Sequence, residues 1–240
     1  MVGRPPGATP AFGTIGSMPI RGKIPAPTIK RLSLYLRELN GLQESGEATI
    51  SSQRLGKILG MTDAQVRKDL ARFGSFGQSG VGYRIPELIE QIRRILSKDR
   101  TWPCALIGVG NIGRALVSYG RFSREGFDIV EVFDRSPEVI GTEVAGKTVR
   151  PIEQLPEVIR QKGIRIGIIA VPGEAAQETA ERLVAAGVAG ILNFAPRRIR
   201  VDERVAVVSV DFSVALEQLA FQISLGKSTG RRTDLDESAG

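Results

Sequence analysis

The chain has 240 residues, 42% hydrophobic and 25% charged, which excludes a disordered polymer and suits two globular domains of ~100–200 residues each. Its longest apolar runs, such as residues 164–172, fall well short of the ~18 residues of a membrane span, so no membrane partner is expected. A single cysteine, Cys104, and the absence of histidine exclude an intrachain disulfide, fit a reducing cytoplasm and remove the commonest proton shuttle.

The net charge of +7 is unevenly placed: of 33 Lys/Arg and 26 Asp/Glu, residues 1–98 hold 15 and 7, leaving 18 and 19 for the rest. A part carrying +8 is thus joined to one carrying −1. The basic part suits a polyanionic partner, because Lys and Arg neutralise phosphates and release counterions.

Residues 1–22 are rich in Gly and Pro, lack the apolar centre of a secretory signal and are expected to form a disordered extension. Ile29, Leu32, Leu36 and Leu39 then recur at spacings of three and four, predicting a helix over 25–42 that ends near Gly41. Thr49 and Ile50 read as extended, followed by Ser51 and Ser52, two hydroxyls able to cap a helix. Leu55, Ile58 and Leu59 mark that helix, closed by Gly60. Thr62 or Asp63 can cap a third, in which Val66, Leu70 and Phe73 share a face. Two short helices about a tight glycine turn predict a helix-turn-helix. Residues 74–82, with four glycines and the aromatic flanks Phe76 and Tyr83, predict a hairpin, the wing of a winged helix.

With Val66 at zero and about 100° per residue, the apolar stripe of the third helix spans roughly 340–40°. Lys68, Arg72 and Gln65 then lie at about 200°, 240° and 260°, opposite the stripe, with Arg67 on the flank near 100°. Arg and Gln are suited to base edges in the major groove and Lys to phosphates. An ordinary solvated face is the competing reading for a lone helix; the turn, wing and basic balance weigh against it. The candidate surface for double-stranded DNA comprises Ser51, Ser52, Gln65, Arg67, Lys68 and Arg72, with Ser75, Gly80 and Tyr83 from the wing.

A linker helix over 86–96 and a boundary at 99–102 precede a continuous apolar run, 103–109, expected as a strand buried on both faces. It runs into Gly108-Val109-Gly110-Asn111-Ile112-Gly113 and a helix reaching Tyr119. This is G-x-G-x-x-G between strand and helix. One glycine permits the turn, Gly110 lets a pyrophosphate approach the backbone, and Gly113 lets the helix pack on the strand. A second strand, 128–133, ends in Asp134, an acid about 20 residues on that suits ribose hydroxyls. Its charge repels a 2′-phosphate and favours NAD(H) over NADP(H), although Arg135 beside it could greet a phosphate.

Further strands are predicted over 164–171, 190–193 and 205–210, with helices over 152–162 and 174–186. This alternation implies an α/β fold with a parallel sheet, a Rossmann-like dinucleotide-binding domain. Val171 and Pro172 follow one strand, and Asn193 and Phe194 another. Both loops fall where such a sheet binds ligands, yet Pro and Asn are equally ordinary turn residues. Val214, Leu216, Leu219, Ala220, Phe221, Ile223 and Leu225 make the helix over 212–225 apolar too far round for a lone surface helix, predicting a dimer interface. The polar tail, 227–240, is expected to be frayed.

A dinucleotide domain invites the reading of a dehydrogenase. Carbonyl reduction normally needs a proton donor, usually His, Lys or Tyr. Histidine is absent, and four residues beyond Tyr35, Tyr83 and Tyr119 stand Leu39, Glu87 and Ser123, so no Tyr-x-x-x-Lys is present. An isolated Lys could still serve, which weakens the enzyme reading without eliminating it. No catalytic residue and no metal ligand is assigned. A purely architectural DNA binder would leave the dinucleotide loop unexplained.

Val66-Arg67-Lys68-Asp69-Leu70, Gly80-Val81-Gly82-Tyr83, residues 108–113, Ala170-Val171-Pro172, Ala175-Ala176-Gln177 and Asn193-Phe194-Ala195-Pro196 together resemble the Rex family of redox-sensing transcriptional repressors, from about Lys23 to Leu225. The resemblance implies a bacterial homodimer that exchanges its C-terminal helix, binds operators when NADH is scarce and releases them as NADH accumulates. It also implies that Tyr119 lies near the nicotinamide, and that Arg37 and Asp211 form alternative ion pairs in the two states. The expected organisation is an extension (1–22), a winged-helix DNA-binding domain (23–98), a Rossmann NAD(H)-binding domain (99–211), an exchanged helix (212–226) and a tail (227–240).

Overall fold

The computed structural model describes residues 24–73, 82–97 and 100–229. The expected extension, most of the wing with Ser75 and Gly80, and residues 230–240 of the tail lie outside the described residues; the first three residues expected in the tail, 227–229, belong instead to the last helix. The chain divides into two compact units, residues 1–99 and 100–240.

The first unit contains four described helices, α1 (Ala26–Glu44), α2 (Ser52–Leu59), α3 (Asp63–Ala71) and α4 (Ile85–Ile95), with the short antiparallel strands β1 (Thr49–Ile50) and β2 (Tyr83–Arg84). Local chemistry defines the helix-turn-helix. The Ser51 hydroxyl accepts from the Arg54 amide to start α2, and Gly60, at φ +65°, ends it in a left-handed cap. The Thr62 hydroxyl then accepts from the Gln65 amide to start α3. A Cβ on Gly56 would stand 2.6 Å from the Met61 carbonyl oxygen, so the turn also needs a glycine inside α2. Leu32, Leu39, Leu55, Val66, Ile85 and Ile92 are fully buried in one core, each such side chain contributing about 1.5–3 kcal/mol.

That core contains a charge. Asp69, on α3, is 1% exposed and is clasped mainly from α1. Arg31 Nε and Nη2 donate to its two oxygens at 2.5 and 2.7 Å, and Tyr35 Oη donates at 2.9 Å. Gln65 Nε2, one turn earlier on α3, donates at 3.0 Å. Burial alone pushes the Asp69 carboxyl up, but the hydrogen bonds of Arg31 and Tyr35 and the charge of Arg31 hold it below its ordinary value. The Tyr35 hydroxyl is raised by burial and by Asp69.

The second unit is a seven-stranded sheet among the described residues, ordered β5-β6-β4-β3-β7-β8-β9. Its strands are β3 (Trp102–Ile107), β4 (Phe127–Asp134), β5 (Glu143–Val144), β6 (Lys147–Pro151), β7 (Ile166–Ile169), β8 (Gly190–Asn193) and β9 (Ala206–Ser209). All neighbours are parallel except β5 with β6. Five of these strands match the sequence reading; the β5–β6 hairpin and the short helix α6 (Arg121–Arg124) were not anticipated. The other helices are α5 (Asn111–Ser118), α7 (Leu155–Lys162), entered through a 3-10 turn at Ile152–Gln154, α8 (Gly173–Ala186) and α9 (Phe212–Thr229).

One apolar cluster, with Ile107, Phe133, Leu155, Ile169 and Leu183, packs α7 and α8 against the sheet; another, with Leu106, Val109, Val132 and Ile168, fills the side of α5. The register of β3 with β4 shifts between Cys104 and Ala105, so that Ala105 lies opposite Glu131. Glu131 is buried, and Arg150 of β6 and Lys162 of α7 both bind it. Burial raises its carboxyl, but the two cations hold it below its ordinary value.

Replacing Arg31 by Met keeps an apolar stem but leaves the Asp69 carboxylate buried without its cation. Breaking a buried pair from one side costs roughly 3–5 kcal/mol, and the partial exposure of Arg31 favours the lower end. In the wild type the lowered carboxyl contributes stability that is present above its ordinary value of 3.8 and lost as pH falls through its depressed folded value. In Arg31→Met, burial raises the carboxyl, so the variant regains stability as pH falls from neutrality toward 4. Urea denaturation followed by circular dichroism should therefore show a gap between the two proteins that narrows by about pH 5. A gap independent of pH would trace the loss to packing instead.

Candidate dinucleotide crevice and candidate DNA-binding face

The chain leaves β3, adds β4 and β6 on one side, then crosses back to place β7 on the other. The reversal sets a crevice at the carboxyl ends of β3 and β7, where open parallel sheets bind ligands. The glycine loop lies there, and its three glycines have three separate causes. Gly108 adopts φ +98°, and a Cβ on it would stand 2.5 Å from the Ala170 carbonyl oxygen at the end of β7. A Cβ on Gly113 would stand 1.9 Å from the Gly108 carbonyl oxygen. A Cβ on Gly110, the N-cap of α5, meets nothing within 4 Å. Gly108 and Gly113 are thus required by packing, whereas Gly110 faces open space at a helix N-terminus, where backbone amides and the helix dipole favour an anion.

Asp134 ends β4 beside this loop. Its Oδ2 accepts from the Val109 amide at 2.7 Å and its Oδ1 from the Ser136 amide at 2.9 Å. The acid expected to meet a ribose is therefore tied to the glycine loop, while Arg135 next to it is exposed. Asn111, Ile112 and Tyr119 are exposed along α5 and its end, and Tyr119 meets Phe122 edge-to-face at 5.1 Å.

The two loops left open between ligand and turn roles resolve differently. Val171 is half-buried and Pro172 is exposed, leading into α8. Asn193 is fully buried: its Nδ2 donates to the Arg197 carbonyl and its Oδ1 accepts from the Ala195 amide. Both ends of this amide shape its own loop, so the Asn193 side chain braces the turn that carries Phe194. Phe194, half-buried, lies 6.2 Å from the ring of Phe212, the first residue of α9.

Cys104 is buried within β3, where burial and then the charge of Asp128 push its thiol up to about 12. It is a core residue and no nucleophile at neutral pH.

In the first unit Lys68 on α3 and Arg72 at its C-cap are exposed, opposite the buried Val66, Leu70 and Phe73. Arg67 is exposed on the flank. Two expectations change. Gln65 is half-buried, because its amide reaches back to Asp69 and braces the helix. Tyr83 is only 8% exposed and belongs to the core, raised in pKa by burial. Of the two hydroxyls before α2, Ser51 serves as its cap and Ser52 accepts from Arg67 Nη1 at 3.3 Å. The sequence reading missed the clasp on Asp69; a lone acid at about 300° on the wheel, beside the apolar stripe, was the available signal. Among the described residues no group of His, Cys, Asp and Glu could hold a metal ion, and no helix is long and apolar enough to cross a membrane.

These features define a two-domain protein that couples a helix-turn-helix domain to a Rossmann-like dinucleotide domain. Two family models match, "Putative DNA-binding protein N-terminus" over residues 23–71 and "CoA binding domain" over residues 99–197. The chain is 49% identical over 201 residues to the redox-sensing transcriptional repressor Rex of Carboxydothermus hydrogenoformans, covering 84% of this chain and 97% of that protein. It is 44% identical to Rex of Syntrophobacter fumaroxidans, covering 85% and 98%. The crystal structure of RSP, a Rex-family repressor, superposes with a TM-score of 0.80 at 33% identity over 86% of this chain and 97% of that one. RSP in complex with β-NAD⁺ and operator DNA gives 0.81 at 34% identity, over 89% and 100%; RSP with β-NADH gives 0.79 at 32%, over 86% and 97%. The chain belongs to the Rex family of redox-sensing transcriptional repressors. That family consists of repressors, not enzymes, which agrees with the reading that assigned no catalytic residue.

The glycine geometry makes a prediction that needs no ligand. Gly113→Ala and Gly108→Ala should each destabilise the second unit by about 3 kcal/mol or more, because backbone carbonyls cannot yield as side chains do. Gly110→Ala should melt within about 2 °C of the wild type. Equal losses for all three, measured by thermal denaturation, would remove the distinction between packing and open glycines.

Proposed function

We propose that this chain is a cytoplasmic homodimeric repressor that binds double-stranded operator DNA through α3 and the wing, and is released when NADH occupies the crevice. Residues 23–98 are assigned to DNA, 99–211 to the dinucleotide and 212–226 to exchange between subunits. The observation that carries the reading is one chain holding two separate sites: an anion-ready glycine loop bracketed by Asp134, and a capped helix presenting Arg67, Lys68 and Arg72. The complexes of RSP with β-NADH and with β-NAD⁺ and operator DNA support both halves.

In this reading a pyrophosphate lies against Gly110 and the amides that open α5, and Asp134 engages the adenosine ribose while repelling a 2′-phosphate. The nicotinamide lies toward Val171, Pro172 and Phe194, with Ile112 and Tyr119 on the side of α5. These side chains offer a cationic ring no counter-charge, and desolvating an unpaired charge is costly. The neutral dihydronicotinamide of NADH is therefore favoured over NAD⁺.

Coupling requires NADH to bind the DNA-releasing arrangement better than the DNA-binding one. The contact of Phe194 with Phe212 links the crevice loop to α9. Asp211, just before α9, accepts from the Ser213 and Val214 amides, so an ion pair with Arg37 would compete with this cap. Closure of the two dinucleotide domains then alters the spacing of the recognition helices. Half-sites about one turn of DNA apart (~34–36 Å) tolerate little error.

Both faces of α9 are apolar. At about 100° per residue, Phe212, Leu216, Leu219 and Ile223 cluster near 0–40° and 340°, and Val214, Phe221 and Leu225 near ~180–220°. All are exposed in the single chain, Leu216 by 65% and Phe221 by 63%, and every residue of the edge strand β9 is exposed as well. A second copy of the chain covers such a surface in this reading.

NADH should weaken operator binding far more than NAD⁺ at equal concentration, with neither consumed. By linkage, saturating operator must weaken NADH binding by the same factor, readable from NADH fluorescence titrations with and without DNA. Identical NADH affinities in the two titrations would leave two independent sites and no sensor. Gly110→Ala should lose NADH binding yet retain operator binding. Truncation after Asp211 should give monomers or aggregates in sedimentation; a well-behaved dimer without α9 would refute the interface.

A further inference from the structure

Three cations stand on the exposed side of α3, and they are not held alike. Lys68 and Arg72 make no side-chain hydrogen bond or ion pair with another described residue. Arg67 does: its Nη1 donates to Asp63 Oδ2 at 2.7 Å, one turn earlier, and to Ser52 Oγ of α2 at 3.3 Å. Asp63 is not needed as the helix cap, because the Thr62 hydroxyl already accepts from the Gln65 amide. Its second oxygen, Oδ1, accepts from the Ala64 amide at 2.7 Å, so the backbone fixes the carboxylate while Arg67 occupies its other side. The hydrogen bond from Arg67 is the main cause that lowers the Asp63 carboxyl. The bonds to Asp63 and Ser52 place the guanidinium between α2 and the start of α3.

A carboxylate at the start of a recognition helix is costly for a DNA binder, since it opposes the approach of phosphates. An exposed pair of this spacing adds little to helix stability in return. What it supplies is orientation. A guanidinium without a partner turns to whichever phosphate oxygen is nearest. One anchored through Nη1 keeps its Nε–Nη2 edge as two parallel donors, the spacing that matches O6 and N7 of guanine. The anchor lies at the amino-terminal end of α3, the end of a recognition helix that meets base edges.

We propose that Asp63 is a specificity-determining positioning residue: by gripping Nη1 of Arg67 it directs the guanidinium to a guanine edge and withholds it from the phosphates. The inference rests on the reading of α3 as the recognition helix, and the test separates the two.

A consensus duplex is selected by the wild-type full-length protein from a randomised library. Its affinity, those of duplexes with each base pair replaced in turn, and that of a scrambled duplex are measured by fluorescence anisotropy across salt concentrations. Four proteins are compared: wild type, Asp63→Asn, Arg67→Ala and the double variant. Asp63→Asn retains an acceptor for the Ala64 amide but loses the charge that grips Arg67. It should bind scrambled DNA several-fold more tightly and steepen the log–log salt slope by about one as Arg67 turns to phosphate. Discrimination at one G·C pair, about 10- to 100-fold in the wild type, should largely disappear. In the Arg67→Ala background, Asp63→Asn should leave base discrimination and salt slope unchanged. Equal tightening on consensus and scrambled duplexes, with discrimination intact, would reduce Asp63 to a general repulsive charge and overturn the proposal. So would a loss of discrimination that persists without Arg67. Discrimination intact at every pair in Arg67→Ala would instead sink the recognition reading, and the proposal with it.

Discussion

The ligand-binding half of this protein depends on one close backbone approach, that of Gly108 at the end of β3 to Ala170 at the end of β7. These strands are neighbours in the sheet, but the chain joins them only after building β4 and β6 on the far side. Their ends can meet only if the residue after β3 turns sharply at positive φ and carries no side chain, because a Cβ would lie 2.5 Å from a carbonyl oxygen. The same turn brings the Gly108 carbonyl so near α5 that Gly113 must also lack a side chain. Once two glycines have packed the loop flat, the third is left facing solvent at a helix N-terminus. The site is what remains when the packing requirements are met.

Each domain also buries a carboxylate, and the two are handled by one rule. A buried charge is tolerated when its hydrogen-bonding capacity is filled and a cation lies beside it. Asp69 has Arg31, Tyr35 and Gln65; Glu131 has Arg150 and Lys162. In both cases the partners come largely from other elements, so the carboxylate acts as a rivet. Asp69 fixes α3 to α1 beside the apolar stripe, which keeps the candidate DNA-contacting face in a defined orientation. Glu131 ties β4 to β6 and to the end of α7. Apolar packing alone is non-directional, and a helix held only by Val66, Leu70 and Phe73 could roll by a fraction of a turn at small cost. The directional bonds to Asp69 oppose that roll.

Much of this was legible in the sequence because hydrophobic periodicity and glycine chemistry act locally. The turn between α2 and α3, the buried run of β3, the glycine loop and the acid ending β4 all announced themselves by spacing. The β5–β6 hairpin did not. Its two-residue turn is Ala145-Gly146, both at positive φ, and alanine there conceals a signal that asparagine would have given. Its strands also bury only Val144 and Val149, too few for a period of two to stand out. The helical wheel put Gln65 outside because it knows only angle. A glutamine is long enough to reach round the helix to a buried acid four residues on, and an unfilled carboxylate draws it inward. Asn193 was ambiguous for a related reason: a polar residue at a strand end suits a ligand and a turn equally, and its bracing bonds to Ala195 and Arg197 are visible only once the loop is folded.

A helix of 18 residues with apolar side chains on both faces gains nothing in water from being folded alone, since amphipathic burial is what stabilises most helices in proteins. If a second copy covers α9, as proposed, forming the helix and covering it are one thermodynamic event, and whatever biases the start of the helix biases that assembly. The start is held by two contacts: the Asp211 carboxylate on the first amides, and the ring of Phe212 beside Phe194. Phe194 follows β8, in a loop whose shape is set by the buried Asn193. A change at the strand ends thus needs no long chain of intermediaries to reach the subunit contact proposed for α9. It has to shift one aromatic ring against another, and a packed contact of that kind responds by exchanging arrangements, not by yielding gradually.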